Sequence, residues 1–77
     1  MVAYSIKRKD GTIARCSIKL SEIREVLENR DHTATLRVSE IRKNGTFSVA
    51  ETLEGYDQIM LRIENEERKH AEKIFGL

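Results

Sequence analysis

Residues 2–18 read VAYSIKRKDGTIARCSI, in which apolar and polar side chains alternate before and after the segment KDG at residues 9–11. This pattern is typical of a β-hairpin. A two-residue turn would place Ile6 opposite Arg15 and mix apolar with charged side chains on one face. A three-residue turn with Gly11 in the left-handed conformation avoids that conflict. The expected cross-strand pairs are Val2 with Ile18, Tyr4 with Cys16 and Ile6 with Ala14.

A second hairpin is predicted over residues 34–50, where Leu36 and Val38 alternate with polar side chains before Asn44-Gly45. A two-residue turn at Asn44-Gly45 would set Phe47 opposite Arg42 and Val49 opposite Glu40. The apolar side chains expected on one common side are Leu36, Val38, Phe47 and Val49.

Two segments have the apolar spacing of helices. Between the hairpins, a short helix with Ser21 as its N-cap is predicted from Leu20, Ile23, Val26 and Leu27. After the second hairpin, Thr52 is the expected cap of a longer helix. Its apolar stripe contains Leu53, Tyr56, Ile59, Met60 and Ile63.

The expected fold is therefore α+β, with two β-hairpins forming a four-stranded antiparallel sheet and two helices on one face, in the order β-β-α-β-β-α. With 77 residues, the chain is expected to form a single domain over residues 1–77. One cysteine excludes an internal disulfide. Because no long apolar run is present, we expect no membrane association, and the cytoplasm is the expected location.

The formal net charge of +1 hides an uneven distribution along the chain. The predicted strands are basic and the predicted helices are acidic. If the helices cover one side of the sheet, the other side is polar and positive, and it could contact phosphates or an anionic protein surface. The residues of this candidate binding face and its hairpin tips are Lys7, Arg8, Lys9, Arg15, Arg37, Arg42 and Lys43. The same charges are also consistent with an ordinary solvated sheet face.

No residue pattern in the sequence indicates catalysis. His32 and His70 lie in different predicted elements, and two ligands do not make a metal site. Cys16 falls on the predicted core face with no evident base to activate it. We therefore expect no enzymatic activity, no cofactor and no bound metal.

The C-terminal helix carries one apolar side chain away from its stripe, Leu61. A homodimer could cover Leu61 together with Ile74, Phe75 and Leu77, and so enlarge a small core. Alternatively, these side chains fold back onto the monomer. The sequence leaves both possibilities open.

In size, predicted element order and lack of a catalytic motif, the chain resembles small accessory proteins of phages and mobile elements, including some anti-CRISPR proteins. The resemblance is one of layout and involves no residue motif. It implies a non-enzymatic protein-binding module, an inhibitor or adaptor that occupies a surface of a larger protein or nucleoprotein complex. The alternative is a nucleic-acid-binding module that uses the basic sheet face and hairpin tips.

Overall fold

The computed structural model describes the backbone of residues 1–41 and 47–75, and the side chains of residues 1–39 and 48–71. The elements in chain order are β1 (Val2–Lys7), β2 (Ile13–Ile18), a 3-10 helix (Leu20–Glu22), β3 (Ile23–Glu28), β4 (Thr33–Ile41), β5 (Phe47–Gly55) and α1 (Tyr56–Phe75). All pairing is antiparallel, and the strands form a two-stranded sheet, β1-β2, and a three-stranded sheet, β3-β4-β5. The fold is α+β, but the predicted four-stranded sheet with two helices is wrong. The described residues form five strands in two sheets and one α-helix.

The register predicted for the first hairpin is confirmed. Val2 lies opposite Ile18, and the pairing continues along the strands to Lys7 opposite Ile13. The Arg8 N–H donates to the Thr12 carbonyl at 2.8 Å, and Gly11 closes the three-residue turn with φ of +88°. Glycine suits this position because an L side chain rarely adopts such a backbone conformation.

The helix predicted from Leu20 to Leu27 is wrong, because most of this segment is strand β3. Ile23 lies opposite Val38 and Val26 lies opposite Leu36, with a register shift between Ile23 and Glu25. A β-bulge inserts one residue, so two side chains three positions apart face the same side of the sheet. The spacing that indicated a helix turn therefore arises from a bulged strand.

The second hairpin forms between β4 and β5, but its predicted register is wrong. Phe47 lies opposite Ile41 instead of Arg42, and Val49 lies opposite Arg37 instead of Glu40. The pairing is irregular between Arg37 and Ile41, so the partner of Val49 on β4 lies three residues, an odd number, before the predicted one. Such a displacement moves a side chain to the opposite face. The predicted turn at residues 44–45 lies outside the described residues.

The long helix exists, but its predicted start at Thr52 is wrong. Strand β5 continues to Gly55, which lies opposite Thr33, and α1 begins at Tyr56. Thr52 is a buried strand residue whose hydroxyl donates to the Ala34 carbonyl at 2.8 Å. The Tyr56 N–H donates to the His32 carbonyl at 2.8 Å and ties the helix start to the β3–β4 turn.

The core lies where both sheets and the helix meet. Its buried apolar members are Val2, Ile18, Ala34, Leu36, Ile59 and Ile63. Tyr4 and Val38 pack against this core, as predicted, whereas Val49 does not and remains 49% exposed. No helix in the described part of the chain is both long enough and apolar enough to cross a bilayer.

Two side chains bind the edge of β1 that faces away from β2. The Ser5 N–H donates to Glu54 Oε1 at 2.7 Å, and Arg62 Nη1 donates to the Ala3 carbonyl at 2.7 Å. The two charged groups are themselves 3.8 Å apart. A neighbouring strand would otherwise form hydrogen bonds with the Ala3 carbonyl and the Ser5 N–H, and the two side chains provide these hydrogen bonds instead.

Candidate functional site

The outward side of the three-stranded sheet exposes several large aliphatic side chains. Val49 is 49% exposed, Leu53 is 43% exposed and Leu27 is 41% exposed. We call this surface the outer face. Its side chains, assigned from strand register, are Glu25 and Leu27 on β3, Thr35 and Arg37 on β4, and Val49, Glu51 and Leu53 on β5.

Strand alternation separates the outer face from the core. Ala50 packs against the core and Thr52 is buried, whereas Val49, Glu51 and Leu53 are exposed. Because successive strand side chains point to opposite sides, burial of the even positions directs the odd ones outward.

The charges of the outer face are mixed. Arg37 Nη1 lies 3.1 Å from Glu25 Oε2, and the two residues are directly opposite one another on β4 and β3. Glu51 is exposed on the same face. Arg37, which the sequence placed on a basic surface, therefore lies among carboxylates and beside Val49.

The basic side chains are concentrated on the first hairpin. Lys7, Arg8, Lys9 and Arg15 are all exposed. Arg15 lies opposite Ser5 and Lys7 lies opposite Ile13, which puts both cations on the same face of the hairpin. The structure thus groups four of the seven predicted binding residues. Arg37 lies on the other sheet, and the side chains of Arg42 and Lys43 are outside the described residues.

Asp10 lies within this basic hairpin tip. The Thr12 hydroxyl donates to Asp10 Oδ1 at 2.6 Å and the Thr12 N–H donates to the same oxygen at 3.0 Å. These hydrogen bonds, from the hydroxyl first and the amide second, lower the pKa of Asp10. The carboxylate is therefore committed to the turn, while the neighbouring cations point to solvent.

The predicted dimer contacts are only partly described. Leu61 is 55% exposed, whereas Ile59 and Ile63 of the same helix are buried. Leu61 is thus on the solvent side of α1, as expected from its position off the apolar stripe. The side chains of Ile74, Phe75 and Leu77 lie outside the described residues.

The titratable groups considered for catalysis or metal binding are dispersed. Cys16 is half-buried opposite Tyr4, and burial, followed by the effect of Cys16, raises the pKa of the Tyr4 phenol. His32 Nδ1 lies 3.1 Å from Glu28 Oε2 on the surface. Among the described residues, no three His, Cys, Asp or Glu side chains are grouped as metal ligands would be.

We compared the chain with protein-family models, curated proteins and solved structures, and none of the three comparisons found a match.

The sequence prediction missed the outer face because two of its aliphatic residues were assigned to helices. Leu27 and Leu53 were placed in amphipathic helices, and Val49 was placed in the core. The available signal was the alternation of Val49, Glu51 and Leu53 with Ala50 and Thr52, which continues the β5 strand pattern past residue 50.

Proposed function

We propose that this protein is a non-enzymatic protein-binding module whose outer face contacts a larger protein, as an inhibitor or adaptor does. The observation that supports this function is the exposure of Leu27, Val49 and Leu53 on one side of a sheet. The solvent side of an antiparallel sheet is ordinarily polar. We take three large aliphatic side chains exposed on that side as support for a surface that binds another protein.

The polar residues of the outer face also suit a protein interface. Arg37 and Glu25 form an exposed ion pair between the aliphatic positions of β3 and β5. Arginine is enriched among the residues that dominate the binding energy of interfaces, so the central position of Arg37 suits such a surface. The resemblance to phage accessory proteins adds no support, since the element order that formed part of it, beside size and the lack of a catalytic motif, is wrong.

Nucleic-acid binding by the first hairpin is a second candidate function. It is favoured by the exposed cations Lys7, Arg8, Lys9 and Arg15, for which the described residues provide no ion pair. Such a cluster suits phosphate contacts. We place it second because Arg37 is paired with Glu25 on another surface, so the basic area is smaller than the sequence indicated.

Affinity capture from nuclease-treated extract of the source cell tests the first function. The double variant Leu27→Ser/Leu53→Ser is expected to lose a partner that the unchanged protein retains. Leu61→Ser is the matched control, because it removes a similarly exposed aliphatic side chain from α1. Equal capture by both variants would contradict binding through the outer face.

Generic duplex DNA and RNA provide the test of the second function. Binding by the first hairpin should weaken steeply as salt is added and should be lost in Lys7→Glu/Arg15→Glu. If the protein shows no affinity for either nucleic acid at low salt, the second function is wrong, and the first is unaffected.

A further inference from the structure

The free edges of the two sheets differ in what protects them. The outer edge of β1 is bound by Glu54 and Arg62, as described above. Strands β2, β3 and β5 are the other edge strands of the described sheets, and β5 lies beside β1, to which its Glu54 binds. An unprotected edge strand can pair with a strand of another molecule, and β2 and β3 differ in their fit to a second copy of the chain.

Beyond the bulge at residues 23–25, alternate backbone groups of β3 are directed away from β4. The Asn29 N–H donates to the Thr33 carbonyl of the neighbouring strand at 2.9 Å. Because backbone groups alternate in direction along a strand, those of Val26 and Glu28 point away from β4. No further strand lies on that side in the described part of the chain.

The charges along β3 are ordered so that two antiparallel copies of the strand are complementary to each other. The segment Arg24-Glu25-Val26-Leu27-Glu28 carries a cation two residues before Val26 and a carboxylate two residues after it. Antiparallel pairing of two copies about a two-fold axis at Val26 brings Arg24 of each copy, at the bulge between Ile23 and Glu25, near Glu28 of the other. Arg24 and Glu28 are both exposed, so neither must leave a buried position to form these contacts.

The contact between Glu28 and His32 is compatible with this arrangement. His32 Nδ1 approaches Glu28 Oε2, and the Glu28 side chain remains 50% exposed. A carboxylate accepts several hydrogen bonds, so Oε1 can receive a guanidinium from the second copy.

The edge of β2 lacks such complementarity. Its sequence, IARCSI, contains a single charged residue, Arg15, near the middle of the strand. Self-pairing of β2 about an axis near Arg15 would bring two guanidinium groups together without an opposing carboxylate, which is unfavourable. Of the two edges, β3 is therefore the one suited to a second copy.

We propose that the protein forms a two-fold dimer in which β3 pairs antiparallel with β3 of a second copy, with Val26 at the axis and two Arg24–Glu28 contacts between the copies. The two three-stranded sheets become one six-stranded sheet, and their outer faces adjoin. Leu27 of each copy then lies diagonally across the axis from Leu27 of the other. This proposal does not depend on what the outer face binds.

Sedimentation of the full chain over a concentration series is the first measurement. A monomer at every concentration up to about 1 mM overturns the proposal. A dimer that the charge reversals below disrupt supports it, whereas a dimer that they leave unchanged, such as one through Leu61, contradicts it. Far-ultraviolet circular dichroism establishes that each variant remains folded.

Charge reversal then tests the interface itself. Arg24→Glu and Glu28→Arg should each weaken dimerisation about tenfold or more, because each replaces two attractive contacts with two repulsive ones. The double variant Arg24→Glu/Glu28→Arg should recover dimerisation, although its contact with His32 is also changed. Lys9→Glu, an exposed charge reversal in the turn of the first hairpin, is the matched control and should leave the dimer unchanged.

An equimolar mixture of the two single variants gives the sharpest result. In a mixed dimer, the carboxylate introduced at position 24 of one copy faces the guanidinium introduced at position 28 of the other, and the native Arg24 faces the native Glu28. Two variants that are each mainly monomeric should therefore dimerise when mixed. If the mixture stays monomeric, or if each single variant dimerises as well as the unchanged chain, the proposed pairing of β3 is wrong.

Discussion

Removal of the Glu54 carboxylate should destabilise the fold, because that group receives the Ser5 N–H at the outer edge of β1. The Glu54 side chain is only 13% exposed, so water replaces the lost acceptor poorly. A hydrogen bond to a charged group contributes about 1.5–3 kcal/mol to stability, and Glu54→Ala should lower the free energy of unfolding by this amount.

Glu54→Gln separates the hydrogen bond from the charge. The glutamine carbonyl can still accept from Ser5, whereas the 3.8 Å charge contact with Arg62 is lost. Because the Arg62 side chain is 33% exposed, solvent screens this contact, and its loss should cost about 0.2–1 kcal/mol. The hydrogen bond to the neutral carbonyl is also weaker than that to the carboxylate, by about 1 kcal/mol. Glu54→Ala should still cost more than Glu54→Gln, because only alanine also removes the acceptor of the Ser5 N–H.

Urea denaturation followed by circular dichroism measures these differences, provided that the slope of free energy against urea concentration is unchanged. Glu64→Ala, an exposed substitution on α1, is the control and should stay within about 0.5 kcal/mol of the unchanged chain. If Glu54→Ala and Glu54→Gln cost the same, the hydrogen bond to Ser5 does not contribute as argued.

Two further predictions address the core and the β3–β4 turn. Leu36→Ala should lower the free energy of unfolding by about 2–5 kcal/mol because Leu36 is fully buried. Val49→Ala should lower it by less than about 1 kcal/mol because Val49 is exposed. Equal losses in urea denaturation would support the rejected register, in which Val49 lies in the core. Two hydrogen bonds lower the pKa of Asp31, the larger effect from the Thr33 hydroxyl and the smaller from the Thr33 N–H. The stability that they provide is therefore present above the unfolded-state pKa of Asp31, and it is lost as the pH falls through the folded-state pKa. Thr33→Val should raise the pKa of Asp31 toward its ordinary value in a carboxyl carbon NMR titration, and an unchanged titration would contradict the role of the hydroxyl.

The two hairpins show why one register could be predicted and the other could not. In the first, Gly11 supplies the left-handed residue of a three-residue turn, and alternation on both strands permits one register that keeps charged side chains off the apolar face. In the second, the irregular pairing between Arg37 and Ile41 shifts the partner strand. Such an irregularity depends on how the sheet packs, and the local sequence does not specify it.

The outer face was not predictable for a related reason. Its residues come from three strands, and two of those strands were assigned wholly or partly to helices. Arg37 was correctly identified as an exposed surface residue, but its neighbour Glu25 was placed on a helix and could not be recognised as its ion-pair partner. A surface made from several strands requires each strand and each register to be known.

By itself, the sequence determined the first hairpin, the α+β class and the apolar stripe of α1 from Tyr56 to Ile63. Each depends on contacts between residues close in the chain or on a side-chain period repeated over several turns. The tertiary structure alone decided that residues 23–28 form a bulged strand and that β5 extends to Gly55. In both segments the spacing of apolar residues is compatible with a helix or a strand. The strand is favoured because both segments pair with β4 and because Val26 and Thr52 pack on the core side.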